Sequence, residues 1–136
     1  MRILSLLIST ALALVPALNC EAQNFNGSKP FICAMTDASQ CTPDGNCARV
    51  PISVANIPQF VTVDVQQRLV SAGDGSGGTR TSKIGQVEHP PELLRLSGAD
   101  GDAGWIATIE ESSGKLTLAV LGDQDGYIIF GACILK

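Results

Sequence analysis

The chain has 136 residues, 45% of them hydrophobic, and a formal net charge of −4 from nine basic and thirteen acidic side chains. That length suits one domain whose core is modest, so covalent staples would help it. The acidic balance speaks against a nucleic-acid or anionic-membrane partner, because neither attracts further negative charge.

Met1 and Arg2 give a short positive start, and residues 3–15 (ILSLLISTALALV) form an apolar run. About 13 residues is too short for a permanent bilayer span, which takes roughly 20, and is the usual length of an export-signal core. Pro16 breaks the run. Ala22 suits the position before a cleavage point, with Cys20 as the small residue two before it. The expectation is a signal peptide over 1–22 and a new N-terminus at Gln23; a cut after Ala17 is the second option. A lipid anchor on Cys20 is a third, although Ala17 and Asn19 fit the pattern around a lipidated cysteine poorly. Taking away Arg2 and Glu21 with the signal leaves 114 residues, eight basic and twelve acidic. No second apolar stretch could span a membrane, so a membrane association would depend on Cys20.

The five cysteines are Cys20, Cys33, Cys41, Cys47 and Cys133. Cleavage after Ala22 removes the first and leaves an even set. Four cysteines in a small exported domain read as two disulfides, with three pairings open. The preferred one joins Cys41 to Cys47 around a turn-rich loop and Cys33 to Cys133 across the whole domain. The long closure should stabilise by about 4–5 kcal/mol in the chain-entropy picture. A metal site or an exchange-active thiol pair lacks its usual spacing: there is no C-x-x-C, and His89 is the only histidine.

After a loose leader over 23–30, short strands separated by turns are predicted to make a single β domain over 31–136. Residues 31–36 form the first strand and 37–46 a loop carrying two cysteines. Residues 50–58 contain two prolines and should be irregular, with one helical turn. The β-branched run 60–65 is a half-buried strand, turned by Gln66 and Gln67 into a strand over 68–72. Four glycines in residues 73–79 make a flexible loop. A strand over 80–88 ends at His89-Pro90-Pro91, because proline cannot donate to a ladder. Strands follow over 93–98, 104–110, 115–121 and 127–135, separated by the turns 100–102, 111–114 and 123–126. Alternation puts Trp105, Ala107 and Ile109 on one face, and Leu116, Leu118 and Val120 on one face. The last strand is apolar on both faces, so it should lie centrally or have one face covered by the N-terminal part. No window keeps an apolar repeat at helical spacing. The fold class is all-β: an antiparallel meander forming a small barrel or sandwich of six to eight strands, stapled by disulfides.

Phe31-Ile32-Cys33-Ala34, Thr36-Asp37, the span from Cys41 to Cys47, Arg80-Thr81-Ser82, Trp105, Ser113-Gly114-Lys115 and Phe130-Gly131-Ala132-Cys133 occur in that order. Together they resemble a group of small exported four-cysteine proteins of Gram-negative bacteria. The resemblance implies export, to the periplasm, and nothing about chemistry.

No catalytic constellation stands out. A serine hydrolase would need His89 with Ser76, Ser82 or Ser97, none of which has the G-x-S-x-G setting. The Asp-rich turns 100–102 and 123–126 lack the ligand pattern of a calcium loop, and Asp with Gly is what tight turns need. The glycine loop lacks the Lys-Ser/Thr ending of a phosphate cradle. The candidate ligand or partner contacts are Trp105, and Arg80, Lys83 and Arg95 gathered near the glycine loop as an anion site. Phe60 and Tyr127 share the ambiguity of Trp105 between core and contact. No cofactor or metal is called for. The expected function is non-enzymatic binding of a protein or a small apolar ligand by an exported β domain. The alternatives are a thiol-exchange or other enzyme, and an envelope-anchored structural lipoprotein. Thiol titration discriminates the exchange protein and the mass of the mature N-terminus the lipoprotein; for function, whether the barrel is hollow is most informative.

Overall fold

The computed structural model describes residues 22–73 and 77–136. The predicted export signal, Ala22 apart, lies outside the described residues, and so do Cys20 and Ser76. Among the described residues there are nine antiparallel strands: β1 (Phe31–Cys41), β2 (Cys47–Val50), β3 (Phe60–Asp64), β4 (Leu69–Gly73), β5 (Thr79–Glu88), β6 (Leu93–Asp100), β7 (Ala103–Glu110), β8 (Lys115–Leu121) and β9 (Gly126–Leu135). From β3 to β9 each strand bonds to the next. β9 then bonds to β1, and the N-terminal half of β1 bonds to β3, which closes an eight-stranded barrel. β2 is an additional strand laid on the C-terminal half of β1.

The predicted strands from 60 onward are all present, with shifts of a residue or two at their ends. The first strand differs more. It runs to Cys41 rather than stopping at residue 36, and the loop expected over 37–46 contracts to 42–46. A register shift between Met35 and Asp37 explains the difference. The bulge bends the strand and lets its polar second half (Asp37, Ser39, Gln40) continue along β9 at the barrel rim. In the loop, Thr42 and Asn46 donate hydrogen bonds to the Asp44 carboxylate. These bonds, that from Thr42 first, hold its pKa below the ordinary value.

Inward faces carry the core. Leu94 and Leu96 of β6, Ala107 and Ile109 of β7, Leu116 and Leu118 of β8, and Ile129 and Cys133 of β9 are all buried. The alternation predicted for β7 and β8 is therefore the one observed. Lys83, Arg95 and Lys115 stand on outward positions. β9 lies between β8 and β1, as its two apolar faces suggest, but its outer face is not covered: Ile128, Phe130 and Ile134 are exposed.

The leader over 23–30 departs from the expected loose segment. Phe25 is completely buried, and its ring meets Phe31 edge-on at a centroid distance of 5.8 Å. Its backbone N–H donates to the Glu111 carbonyl at 2.9 Å. The Gln66 side-chain amide donates to the Ser28 carbonyl at 3.0 Å. A lone phenylalanine among polar residues gives no periodic signal, so its burial could not be read locally. It plugs the end of the barrel where β1 starts and β9 finishes. Gly114 makes the plug fit: at φ +72°, a Cβ there would stand 2.8 Å from the Phe25 ring and 2.6 Å from the Cys133 carbonyl.

Both disulfides follow the preferred pairing. Cys33–Cys133 joins β1 to β9, and Cys41–Cys47 joins β1 to β2. In each case the partners stand directly opposite in the ladder, which brings their Cβ atoms within bonding reach. Cys33 and Cys133 are buried, whereas Cys47 is exposed. Two disulfides are consistent with a protein that works in an oxidising compartment.

Candidate functional site

The end of the barrel opposite Phe25 is hollow. A cavity of about 340 Å³ runs inward from the rim formed by the ends of β4 and β6 and the starts of β5 and β7. That volume falls near the lower end of small-molecule sites, roughly 300–1,000 Å³. Its floor and walls are apolar: Met35, Val61, Val63, Val70, Leu96 and Leu118 are among them. The cavity exists because the inward residues toward this end are small. Ala72 of β4, Ser82 of β5, Gly98 of β6 and Ala103 and Ala107 of β7 leave space that larger residues fill at the plugged end.

Trp105 stands on the cavity wall. It faces Gly98 across the β6–β7 ladder, and the absence of a side chain there is required. A Cβ at Gly98 would come within 2.6 Å of the indole and 2.4 Å of the Lys83 carbonyl. The indole Nε1–H donates to Ser82 Oγ at 3.0 Å, and Ser82 Oγ donates onward to the Ala99 carbonyl at 3.4 Å. Among the described residues no buried side-chain polar atom lacks a hydrogen-bond partner. The interior therefore offers an occupant apolar surface and an indole face rather than hydrogen-bonding groups.

Among the described residues two charged side chains, Arg80 and Asp100, reach the cavity, both at its mouth. The Arg80 guanidinium holds Asp100 Oδ2 at 2.8 Å and donates through its other terminal nitrogen to the Asn56 carbonyl at 2.8 Å. Asn56 follows a 3-10 turn over Ile52–Ala55, the helical turn expected between the two prolines. Residues 55–58 border the cavity, so Arg80 ties that connection to the β6 rim.

Of the predicted contact residues, Trp105 and Arg80 meet at this site. Lys83 and Arg95 do not. Lys83 alternates outward from Ser82 and Ile84, and Arg95 lies on the outer face toward the plugged end, 3.3 Å from Glu88 Oε2. The anion site expected from Arg80, Lys83 and Arg95 is thus not assembled, because the strand alternation sends these cations to different faces. Tyr127 packs against the core and accepts a hydrogen bond from Gln40, while Phe60 is exposed outside the barrel. Asp100 was legible only as a turn residue, yet it shares the inward parity of Leu94, Leu96 and Gly98.

The groups considered for hydrolysis are apart. Ser82 lies near the open end. His89 follows the last residue of β5 at the plugged end, with Nδ1 3.6 Å from Glu111 Oε1. Among the described residues no three His, Cys, Asp or Glu side chains gather as a metal site. In comparisons with known proteins, no family, no curated protein and no solved structure matches this chain.

Proposed function

We propose that the protein is an exported, periplasmic binding domain that takes a small apolar ligand in the open half of its barrel. The observation that carries this reading is the apolar cavity of about 340 Å³ beside Trp105. Eight-stranded barrels sit at the size where the interior is either filled by side chains or holds one small ligand. Here the plugged half follows the first pattern and the open half the second. The export signal read over 1–22 and the two disulfides support the compartment. Burial in the barrel wall disfavours thiol exchange at Cys33–Cys133, which leaves the exposed Cys41–Cys47 bond as the candidate for it.

Trp105 is the only tryptophan, so its fluorescence reports the site directly. Titration of the mature protein with medium-chain apolar compounds should change that emission saturably, at one site per chain. A flat titration, with native mass spectrometry detecting no adduct, contradicts the reading. The compartment is tested separately by the mass of the mature N-terminus. Gln23 as first residue is the expected result, and an acylated Cys20 favours an envelope-anchored form.

A further inference from the structure

The ligand's class follows from the mouth, on the premise that the cavity is the binding site. Inside, the polar side chains of Trp105 and Ser82 are already engaged, the indole by Ser82 and Ser82 by the Ala99 carbonyl. An occupant therefore leaves its own polar atoms at the rim, where an unmatched group is not desolvated. There, among the described residues, it meets one cation and one anion bonded to each other, Arg80 and Asp100, each side chain about two-fifths exposed (42% and 41%). The pair cancels in charge but not in hydrogen bonding. Arg80 has five N–H donors and uses two terminal nitrogens on Asp100 and Asn56, while the carboxylate has lone pairs beyond its bond to Arg80.

A carboxylate head gains Arg80 and is repelled by Asp100; an ammonium head meets the reverse. Either ion has to compete for a partner already taken. A neutral head that both donates and accepts, such as a hydroxyl or primary amide, can bond to both residues with the pair intact. The volume sets the tail. At about 30 Å³ per water-sized group, 340 Å³ corresponds to roughly eleven non-hydrogen atoms. We propose that the cavity selects a neutral amphiphile of about ten carbons, and that the Arg80–Asp100 pair reads its head group.

The test holds the tail constant and changes the charge. 1-Decanol, decanoate and decylammonium are titrated into the mature protein below their micellar concentrations, by calorimetry and Trp105 fluorescence. The expected order places decanol roughly tenfold or more ahead of both ions, the size of one charge-assisted hydrogen bond. Asp100→Asn should move the preference to decanoate, and Arg80→Gln should move it to decylammonium. Both residues are at the rim, so circular dichroism and thermal unfolding should confirm that the variants fold. Equal binding of the three compounds, unchanged in both variants, overturns the head-group rule and leaves the cavity reading standing. A wild-type preference for either ion also overturns the rule. Binding of none of them overturns the cavity reading itself.

Discussion

The two ends of the barrel use the same device to opposite effect. Each seats one aromatic side chain against one glycine on a neighbouring strand or turn. At the plugged end Phe25 fills the space beside Gly114 and is completely buried. At the open end Trp105 lies against Gly98, and the space beyond it stays empty. The difference comes from what surrounds each ring. Phe25 is joined by Phe31, which is also completely buried. Trp105 is joined by alanines, Ser82 and Gly98. One end is therefore built for stability and the other for occupancy.

The two disulfides sort along the same axis, and removing them should show it. Replacing both Cys33 and Cys133 by Ala should cost about 4–5 kcal/mol, because the bond closes a loop of 100 residues. Replacing Cys41 and Cys47 should cost about 2 kcal/mol, because that loop spans 6 residues. Chemical denaturation under non-reducing conditions measures both. Under native conditions the exposed Cys41–Cys47 bond should be reduced first, with the barrel still folded; simultaneous reduction of both bonds would blur the division.

Truncating the two aromatics should separate stability from binding. Phe25→Ala removes a fully buried ring and should cost about 3–5 kcal/mol. Trp105→Ala removes a ring that already borders empty space and should cost about 1–2 kcal/mol. Binding of decanol, measured by calorimetry because the fluorophore is lost, should fall in the second variant and hold in the first wherever it remains folded. Equal stability losses would contradict the asymmetry. Gly98→Ala should also destabilise the fold, because a Cβ there would stand 2.4 Å from the Lys83 carbonyl, and it should shift Trp105 emission as the indole is pushed from the wall. A spectrum and affinity identical to wild type would show that Gly98 does not seat the ring.

Much of this architecture was legible in the chain. Short alternating runs and Asp/Gly turns gave the meander from β3 to β9, and cysteine parity with the position of each cysteine gave both bonds. What was not legible depends on contacts distant in sequence. The extension of β1 through Asp37, Ser39 and Gln40 is polar and looks like a loop; it is held by pairing to β9, some ninety residues away. Phe25 carries no pattern of its own and finds its pocket only once β7, β8 and β9 have formed. The cavity is similarly hidden. It depends on small residues contributed by four strands to one end, and no segment alone announces a void. Residue type alone points to Trp105 and Arg80, whereas the outward placement of Lys83 and Arg95 follows from ladder parity that no single segment displays.

Methyl-resolved NMR of the mature protein titrated with 1-decanol tests the central claim most directly. The account predicts saturable shifts at Val61, Val63, Val70, Leu96, Leu118 and Val120 inside the open end, with Ile128 and Ile134 on the outer face unmoved. Shifts confined to the outer face, or none at any concentration below the micellar limit, would contradict it.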